Sequence, residues 1–137
     1  DQINTGMPEV VVSRLQDALN DRRQAVRGSR LLVLGVAYKR DIDDVRESPA
    51  LDVIELLWGK GATVEYHDPF VPSVRIGSHQ LQSVALGNLS EYDAVLILTD
   101  HTSIDYAGIA RGAKLVLDTR NATRNVDKSQ SCPVVRL

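Results

Sequence analysis

The chain has 137 residues, and its 43% hydrophobic and 25% charged content is typical of a folded globular protein. Its formal net charge of −2 offers no basic footprint for nucleic acid, so no nucleic-acid partner is expected. No apolar run approaches the roughly 20 residues of a membrane span, and one cysteine cannot form an internal disulfide, so a cytoplasmic location without a membrane partner is expected.

The first predicted element is an amphipathic helix near the start of the chain. Val11, Val12, Leu15 and Leu19 recur at helical spacing and form one apolar stripe. Residues 20–28 are polar and basic, which is typical of a helix end and a linker. The stripe has two interpretations that the residues leave open: packing on the chain's own sheet, or contact with another domain or subunit.

A strand–helix–strand unit follows over residues 31–69. Residues 31–37 are a continuous apolar run, which favours a strand buried on both faces over a half-exposed one. Ser48 and Pro49 are typical of a helix start, since serine is a favoured N-cap and proline loses no hydrogen bond at the first helical position. A strand over residues 63–66 completes a right-handed, parallel βαβ unit.

The rest of the chain continues this alternation. We predict irregular structure at 70–82, apolar strands at 94–98 and 115–117, a short helix at 102–111 and an edge strand at Val134 and Val135. We therefore expect an α/β fold: a doubly wound, Rossmann-like, mostly parallel sheet of about five or six strands, preceded by an N-terminal helix.

Two cations, Lys39 and Arg46, lie between the carboxyl end of the first strand and the amino end of the helix that follows it. Ligands of open α/β sheets bind outside those strand ends, and a helix N-terminus favours anions. Arg120 follows a later strand, and parallel strands end at one edge of the sheet. The three cations are therefore expected to meet around a phosphate or carboxylate. In the alternative, Lys39 and Arg46 pair with the acidic residues of their own loop.

Several familiar motifs are absent from the sequence. Gly35 stands alone after the first strand, so the G-x-G-x-x-G dinucleotide fingerprint is missing. The three histidines lack metal-ligand spacing, and residues 41–44 lack the glycine and glutamate of a calcium loop, so no metal site is expected. Asp100 and His101 are interpreted as a strand-end aspartate beside a surface histidine. Cys132 has no catalytic context, so no catalytic residue is assigned.

Four stretches resemble the C-terminal domain of the UDP-glucose/GDP-mannose dehydrogenase family. They are GVAYKRD at 35–41, DVRESPA at 44–50, HDP at 67–69 and DTRN at 118–121. The likeness extends to about Asn125. The residues of these stretches are most similar to those of bacterial UDP-N-acetylhexosamine 6-dehydrogenases. It implies that residues 1–27 are the end of a central, interdomain helix with its linker. Residues 28–137 would be the C-terminal nucleotide-sugar (UDP) binding domain.

The resemblance also implies a function: oxidation of the C6 hydroxyl of a UDP-sugar to a carboxylate with two NAD+ in succession. By position, Tyr38, Lys39 and Arg120 would bind the substrate, and Arg46 would reach NAD. In that family the catalytic cysteine and the main NAD-binding domain lie upstream. This piece is therefore expected to be inactive alone, to bind UDP weakly, and to form a homodimer through the central helix in the full chain.

The sequence is also compatible with a second class of function, a stand-alone Rossmann-like binding or dimerisation module without catalysis. A G-x-G-x-x-G strand–loop–helix upstream of Asp1 would favour the dehydrogenase. A receiver domain fits poorly, because the first strand ends in Ala37, Tyr38 and Lys39 instead of paired acidic residues.

Overall fold

The computed structural model describes residues 7–137, and the polar segment before Met7 lies outside the described part. Within that range, three α-helices and seven β-strands follow one another. They are α1 (Met7–Asp21), β1 (Arg30–Leu34), α2 (Pro49–Gly59), β2 (Thr63–His67), β3 (Ser73–Ile76), β4 (His79–Gln82), β5 (Ala94–Ile97), α3 (Tyr106–Gly112), β6 (Val116–Asp118) and β7 (Val134–Arg136). Two short 3₁₀ turns cover Leu89–Glu91 and Lys128–Gln130.

Five of the described strands form one parallel sheet in the order β2-β1-β5-β6-β7. β1 pairs with β2 on one side and with β5 on the other. The chain runs outward from β1 to β2 and later returns to the opposite side of β1, so the winding direction reverses between β1 and β5. This topology confirms the predicted doubly wound sheet. Its switch point lies outside the carboxyl ends of β1 and β5, where ligands of such sheets bind.

The central strands face two hydrophobic clusters, one on each side of the sheet. Leu31 and Val33 pack with the buried side chains of α1 and α2. The alternate residues of the same strand, Leu32 and Leu34, pack with α3. Because both faces of β1 are covered, both sets of alternate side chains are apolar, which explains the continuous apolar run in the sequence.

Helix α1 packs onto the same core as the sheet. Leu15 and Leu19 are fully buried, in one cluster with the buried residues of α2. The apolar stripe of α1 therefore packs on the chain's own core, which is the first of its two interpretations. The division of the chain after residue 27 and a role of α1 between domains stay predictions.

Residues 70–82 are not irregular throughout, and that prediction is wrong. β3 and β4 form an antiparallel hairpin joined by Gly77 and Ser78, with Gly77 at a φ of 60°. Val74 and Ile76 are buried, but this alternation covers only four residues, and β4 is mostly polar and exposed. Four residues are too few for a period of two to stand out from an irregular loop.

Helix α3 begins at Tyr106, four residues later than predicted. The Asp105 carboxylate accepts the Gly108 N–H at 3.1 Å and caps the helix at this point. Residues 102–104 form a turn and a bend instead of helix. No helix among residues 7–137 is long and apolar enough to cross a membrane.

Ser48 is the N-cap of α2. Its Oγ accepts the Ala50 N–H at 3.3 Å, and the residue is only 3% exposed. The substitution Ser48→Ala leaves this N–H without a side-chain acceptor, so the free energy of unfolding should fall by about 1–2 kcal/mol in urea denaturation. Ser13→Ala, at an exposed position inside α1, should change it by less than about 0.5 kcal/mol. Equal losses at both positions would contradict the capping role.

Candidate functional site

Three side chains that were predicted to bind a ligand meet at the switch point of the sheet. An open cleft of about 280 Å³ lies there, lined by Met7, Tyr38, Lys39, Arg40, Pro49, Asp100 and Arg120. Tyr38 and Lys39 follow β1, and Arg120 follows β6. The fold therefore brings Arg120 to Tyr38 and Lys39, although Arg120 is distant from them along the chain. Their role in binding stays a prediction.

Tyr38 and Lys39 belong to the segment over residues 35–48, here called the β1–α2 loop. The Tyr38 N–H donates to the Asp44 carbonyl at 2.7 Å, which closes this loop on itself. The Lys39 ammonium lies 5.7 Å from the centroid of the Tyr38 ring. None of the ion pairs among the described residues includes Lys39. Its charge is therefore available to an anion in the cleft.

Arg120 enters the cleft from the loop after β6. Its Nε donates to the Leu98 carbonyl at 3.0 Å, which ties the guanidinium to the end of β5. This bond uses one of the five N–H donors of the side chain. Within residues 7–137, no hydrogen bond engages the terminal nitrogens of Arg120. The side chain is thus oriented by one donor while four others can meet a ligand.

Asp118 anchors the loop that presents Arg120. Its Oδ1 accepts the N–H groups of Arg120 and Ala122 at 3.0 and 3.1 Å. Its Oδ2 accepts the Thr123 N–H at 2.9 Å and the Thr123 hydroxyl at 2.6 Å. Burial alone would raise the pKa of Asp118, but these hydrogen bonds outweigh burial and lower the pKa. A buried, charged carboxylate therefore shapes this side of the cleft.

Arg46 is not brought to the cleft. Its Nε and Nη2 pair with the Asp44 carboxylate at 3.1 and 3.0 Å, and 88% of its side chain is exposed. The hydrogen bond from Arg46 lowers the pKa of Asp44. For Arg46, the structure therefore shows the alternative interpretation, an ion pair with an acidic residue of its own loop. Of the three cations expected to meet, only Lys39 and Arg120 do so, and a contact between Arg46 and NAD stays a prediction.

Two features of the cleft were missed at the level of sequence. Arg40 donates to Asp100 at 2.6 Å and joins the β1–α2 loop to the segment after β5. Met7, at the start of α1, reaches the same cleft. Both contacts join residues that are far apart in sequence, and no local pattern marks them.

The interpretation of His101 as a surface residue is wrong. Its side chain is fully buried, with Nε2 2.9 Å from Asp68 Oδ2 and Nδ1 2.8 Å from the Asp41 nitrogen. The Phe70 ring packs beside it, with ring centroids 4.8 Å apart.

Among residues 7–137 no group of three or more His, Cys, Asp or Glu is arranged to hold a metal ion. Burial raises the pKa of the Cys132 thiol.

A doubly wound parallel sheet with free cationic groups at its switch point is typical of domains that bind nucleotides and other phosphate esters. The fold and the cleft define that class. Residues 32–125 match the model of the UDP binding domain of the UDP-glucose/GDP-mannose dehydrogenase family, and the chain belongs to this family. The predicted family assignment is thereby confirmed, and the matched range includes the β1–α2 loop and the loop of Arg120.

Curated relatives include the UDP-N-acetyl-D-mannosamine dehydrogenase of Pyrococcus horikoshii, which is 33% identical over 88% of this chain and 28% of that protein. The UDP-glucose 6-dehydrogenase TuaD of Bacillus subtilis is 33% identical over 71% of this chain and 23% of that protein. A solved structure of the Pyrococcus horikoshii UDP-D-ManNAc dehydrogenase superposes with a TM-score of 0.76 at 29% identity, over 98% of this chain and 32% of that one. The chain therefore spans less than a third of the length of these relatives.

Proposed function

We propose that this chain forms the UDP-sugar side of a nucleotide-sugar 6-dehydrogenase, with the UDP part of the substrate in the cleft at the switch point. One observation carries the proposal: Lys39 and Arg120, from loops after different strands, line one cleft with cationic groups that other described residues leave free. The match to a UDP binding domain supports the same ligand.

The chemistry of each cleft residue suggests its role. The Lys39 ammonium is a compact charge with three donors, so it suits a phosphate oxygen approached from several directions. The terminal nitrogens of Arg120 form a planar fork that matches two phosphate oxygens. Tyr38 offers a ring and a phenol on the cleft wall. Pro49 begins α2, so the helix adds the partial positive charge of its N-terminus to the same cleft.

UDP should bind this chain weakly. The cleft of about 280 Å³ is open and lies just below the usual range of ligand pockets, roughly 300–1,000 Å³. Much of a bound nucleotide would therefore stay in solvent. Such an open cleft also does little to fix the ligand in its bound conformation. We expect a dissociation constant of about 0.1–1 mM for UDP.

For the whole protein we propose oxidation of the C6 hydroxyl of a UDP-sugar to a carboxylate, with two NAD+ as hydride acceptors. The turn after β1 lacks the G-x-G-x-x-G fingerprint of an NAD pyrophosphate loop, and its single glycine, Gly35, packs directly against Thr99. NAD would therefore be held mainly by another domain. Arg46, exposed beyond the cleft, is the residue of this domain that we propose to reach NAD.

The sugar and the assembly are further parts of the proposal. The two relatives differ in the sugar that their names give and share the UDP group, so UDP is the part that we assign to this cleft. A homodimer through α1 is proposed from the family resemblance; the exposed apolar residue of that helix is Val10, at 52%. A cytoplasmic location is supported by the single cysteine.

Substitution of Lys39 or Arg120 should weaken UDP binding. Each of Lys39→Gln and Arg120→Gln removes a charge-assisted contact with phosphate, so each should raise the dissociation constant of UDP about tenfold in isothermal titration calorimetry. Uridine, which lacks the phosphates, should bind wild type and both variants equally weakly.

Two matched substitutions control for the loss of one positive charge. The first is Lys114→Gln, because Lys114 lies just before β6, at the opposite edge of the sheet from the cleft. The second is Arg46→Gln, which removes the cation that is paired with Asp44. Both should leave the UDP dissociation constant within about twofold of wild type, because neither residue lines the cleft. A folded wild-type chain that gives no heat with millimolar UDP would contradict the proposed function.

A further inference from the structure

His101 sits in the protein interior behind the cleft and is absent from its lining. Its Nδ1 lies 2.8 Å from the Asp41 nitrogen, and a backbone N–H can only donate, so Nδ1 accepts and carries no proton. Its Nε2 faces Asp68 Oδ2 at 2.9 Å, and the proton of the ring is therefore on Nε2. The ring is a neutral bridge with one accepting arm and one donating arm.

The donating arm ends on a carboxylate that also binds the start of the β1–α2 loop. Asp68 Oδ2 accepts the N–H groups of Val36 and Ala37 at 2.8 and 3.1 Å. Its Oδ1 accepts the Phe70 N–H at 2.8 Å. The side chain of Asp68 is fully buried, and four N–H donors compensate for the removal of its charge from water. This side of the bridge is rigid, because it is bonded to the ends of two strands.

The accepting arm ends on a residue with an unusual backbone. Asp41 has a φ of 62°, which is left-handed and rarely adopted by residues other than glycine. Its carboxylate accepts the Thr102 N–H and hydroxyl, each at 2.8 Å. Asp41 immediately follows Lys39 and Arg40, which line the cleft. The left-handed turn at Asp41 lies two residues after Lys39, in the loop that presents Lys39 to the cleft.

We propose that His101 is a positioning residue for the UDP site: its Nδ1 holds Asp41 in the left-handed turn and thereby keeps Lys39 at the cleft. The inference rests on the proposed function. His101 acts through Asp41 and touches no ligand. Asp68 orients the imidazole from behind, so the acceptor always faces the Asp41 N–H.

Two substitutions separate the arms of the bridge. His101→Asn places an amide oxygen near the position of Nδ1 and keeps an acceptor for the Asp41 N–H, while the contact with Asp68 is lost. His101→Gln places an amide nitrogen near the position of Nε2 and keeps the contact with Asp68, while the acceptor for Asp41 is lost. Both variants remove the ring from the core, so a purely structural role would lower stability and affinity alike in both.

The test is calorimetric titration of UDP into wild type and both variants, well below their thermal midpoints. We expect His101→Gln to weaken UDP binding about tenfold and His101→Asn to weaken it less than about threefold. Exchange of the Asp41 amide hydrogen, measured without UDP, should accelerate in the Gln variant and change little in the Asn variant. Equal affinity losses in the two variants, or unchanged exchange at Asp41 in both, would overturn the inference.

If the wild-type chain binds no UDP, the proposed function fails. The exchange of the Asp41 amide still reports whether His101 holds the turn, because that measurement needs no ligand. The two failures are therefore separate observations.

Discussion

Replacing Gly35 with alanine should lower the free energy of unfolding by about 3–5 kcal/mol, since strain and a backbone clash add at this position. Gly35 has a φ of 86°, and a Cβ built there would lie 2.5 Å from both the Cβ and the carbonyl oxygen of Thr99. Thr99 cannot retreat easily, because its hydroxyl donates to the Ala37 carbonyl at 2.6 Å and its N–H lies against the Leu34 carbonyl at 3.3 Å.

Urea denaturation of Gly35→Ala beside Gly28→Ala measures the two contributions separately. Gly28 has a similar φ of 82°, but nothing lies within 4 Å of a Cβ there. Gly28→Ala should therefore cost only the strain of a left-handed backbone, about 1–2 kcal/mol. The difference between the variants isolates the contact with Thr99. A loss at Gly35 no larger than at Gly28 would mean that β1 and the segment after β5 can separate freely.

The fold was predictable where local pattern and burial agree. β1 and β5 are covered on both faces by the two hydrophobic clusters, so their sequences are continuously apolar. Helix α2 begins where Ser48 and Pro49 indicate a start, since a cap depends on neighbouring residues alone. The hairpin of β3 and β4 was not predictable, because its alternation is short and its second strand is mostly polar.

The candidate site was predictable only in part, for the same physical reason. In a parallel sheet the carboxyl ends of all strands lie at one edge, and this rule was sufficient to predict that Lys39 and Arg120 meet. The prediction for Arg46 failed because Asp44, two residues away, pairs with it inside the loop. The bond between His101 and Asp68 joins loops after different strands, so no sequence spacing could have revealed it.

Asp118→Asn should be the second costly substitution, and it should weaken UDP binding as well. The carboxylate accepts hydrogen bonds from Arg120, Ala122 and Thr123, and the residue is fully buried. Asparagine keeps the shape but turns an NH₂ group toward these donors, which leaves at least one buried N–H unpaired. The free energy of unfolding at pH 7 should fall by about 2–4 kcal/mol. Since Asp118 anchors the loop of Arg120, the dissociation constant of UDP should rise several-fold in calorimetry.

The pH dependence gives this prediction a specific sign. Burial opposes the charge of Asp118, but the hydrogen bonds prevail, so the pKa in the folded chain lies below that in the unfolded chain. Such a group stabilises the fold above its unfolded pKa, about 4, and that contribution is lost as the pH falls through the folded pKa. The stability gap between wild type and Asp118→Asn should therefore be widest near pH 7 and narrow below about pH 4.

Asp127→Asn is the matched control, because it makes the same change of charge at an exposed carboxylate bonded to Ser129. It should leave the loop of Arg120 and the affinity for UDP unchanged. Urea titrations of the three proteins between pH 3 and pH 7 measure the gap. A gap for Asp118→Asn that stays constant over this range would show that shape, and not the charge of the carboxylate, holds the end of β6 and the arginine beside it.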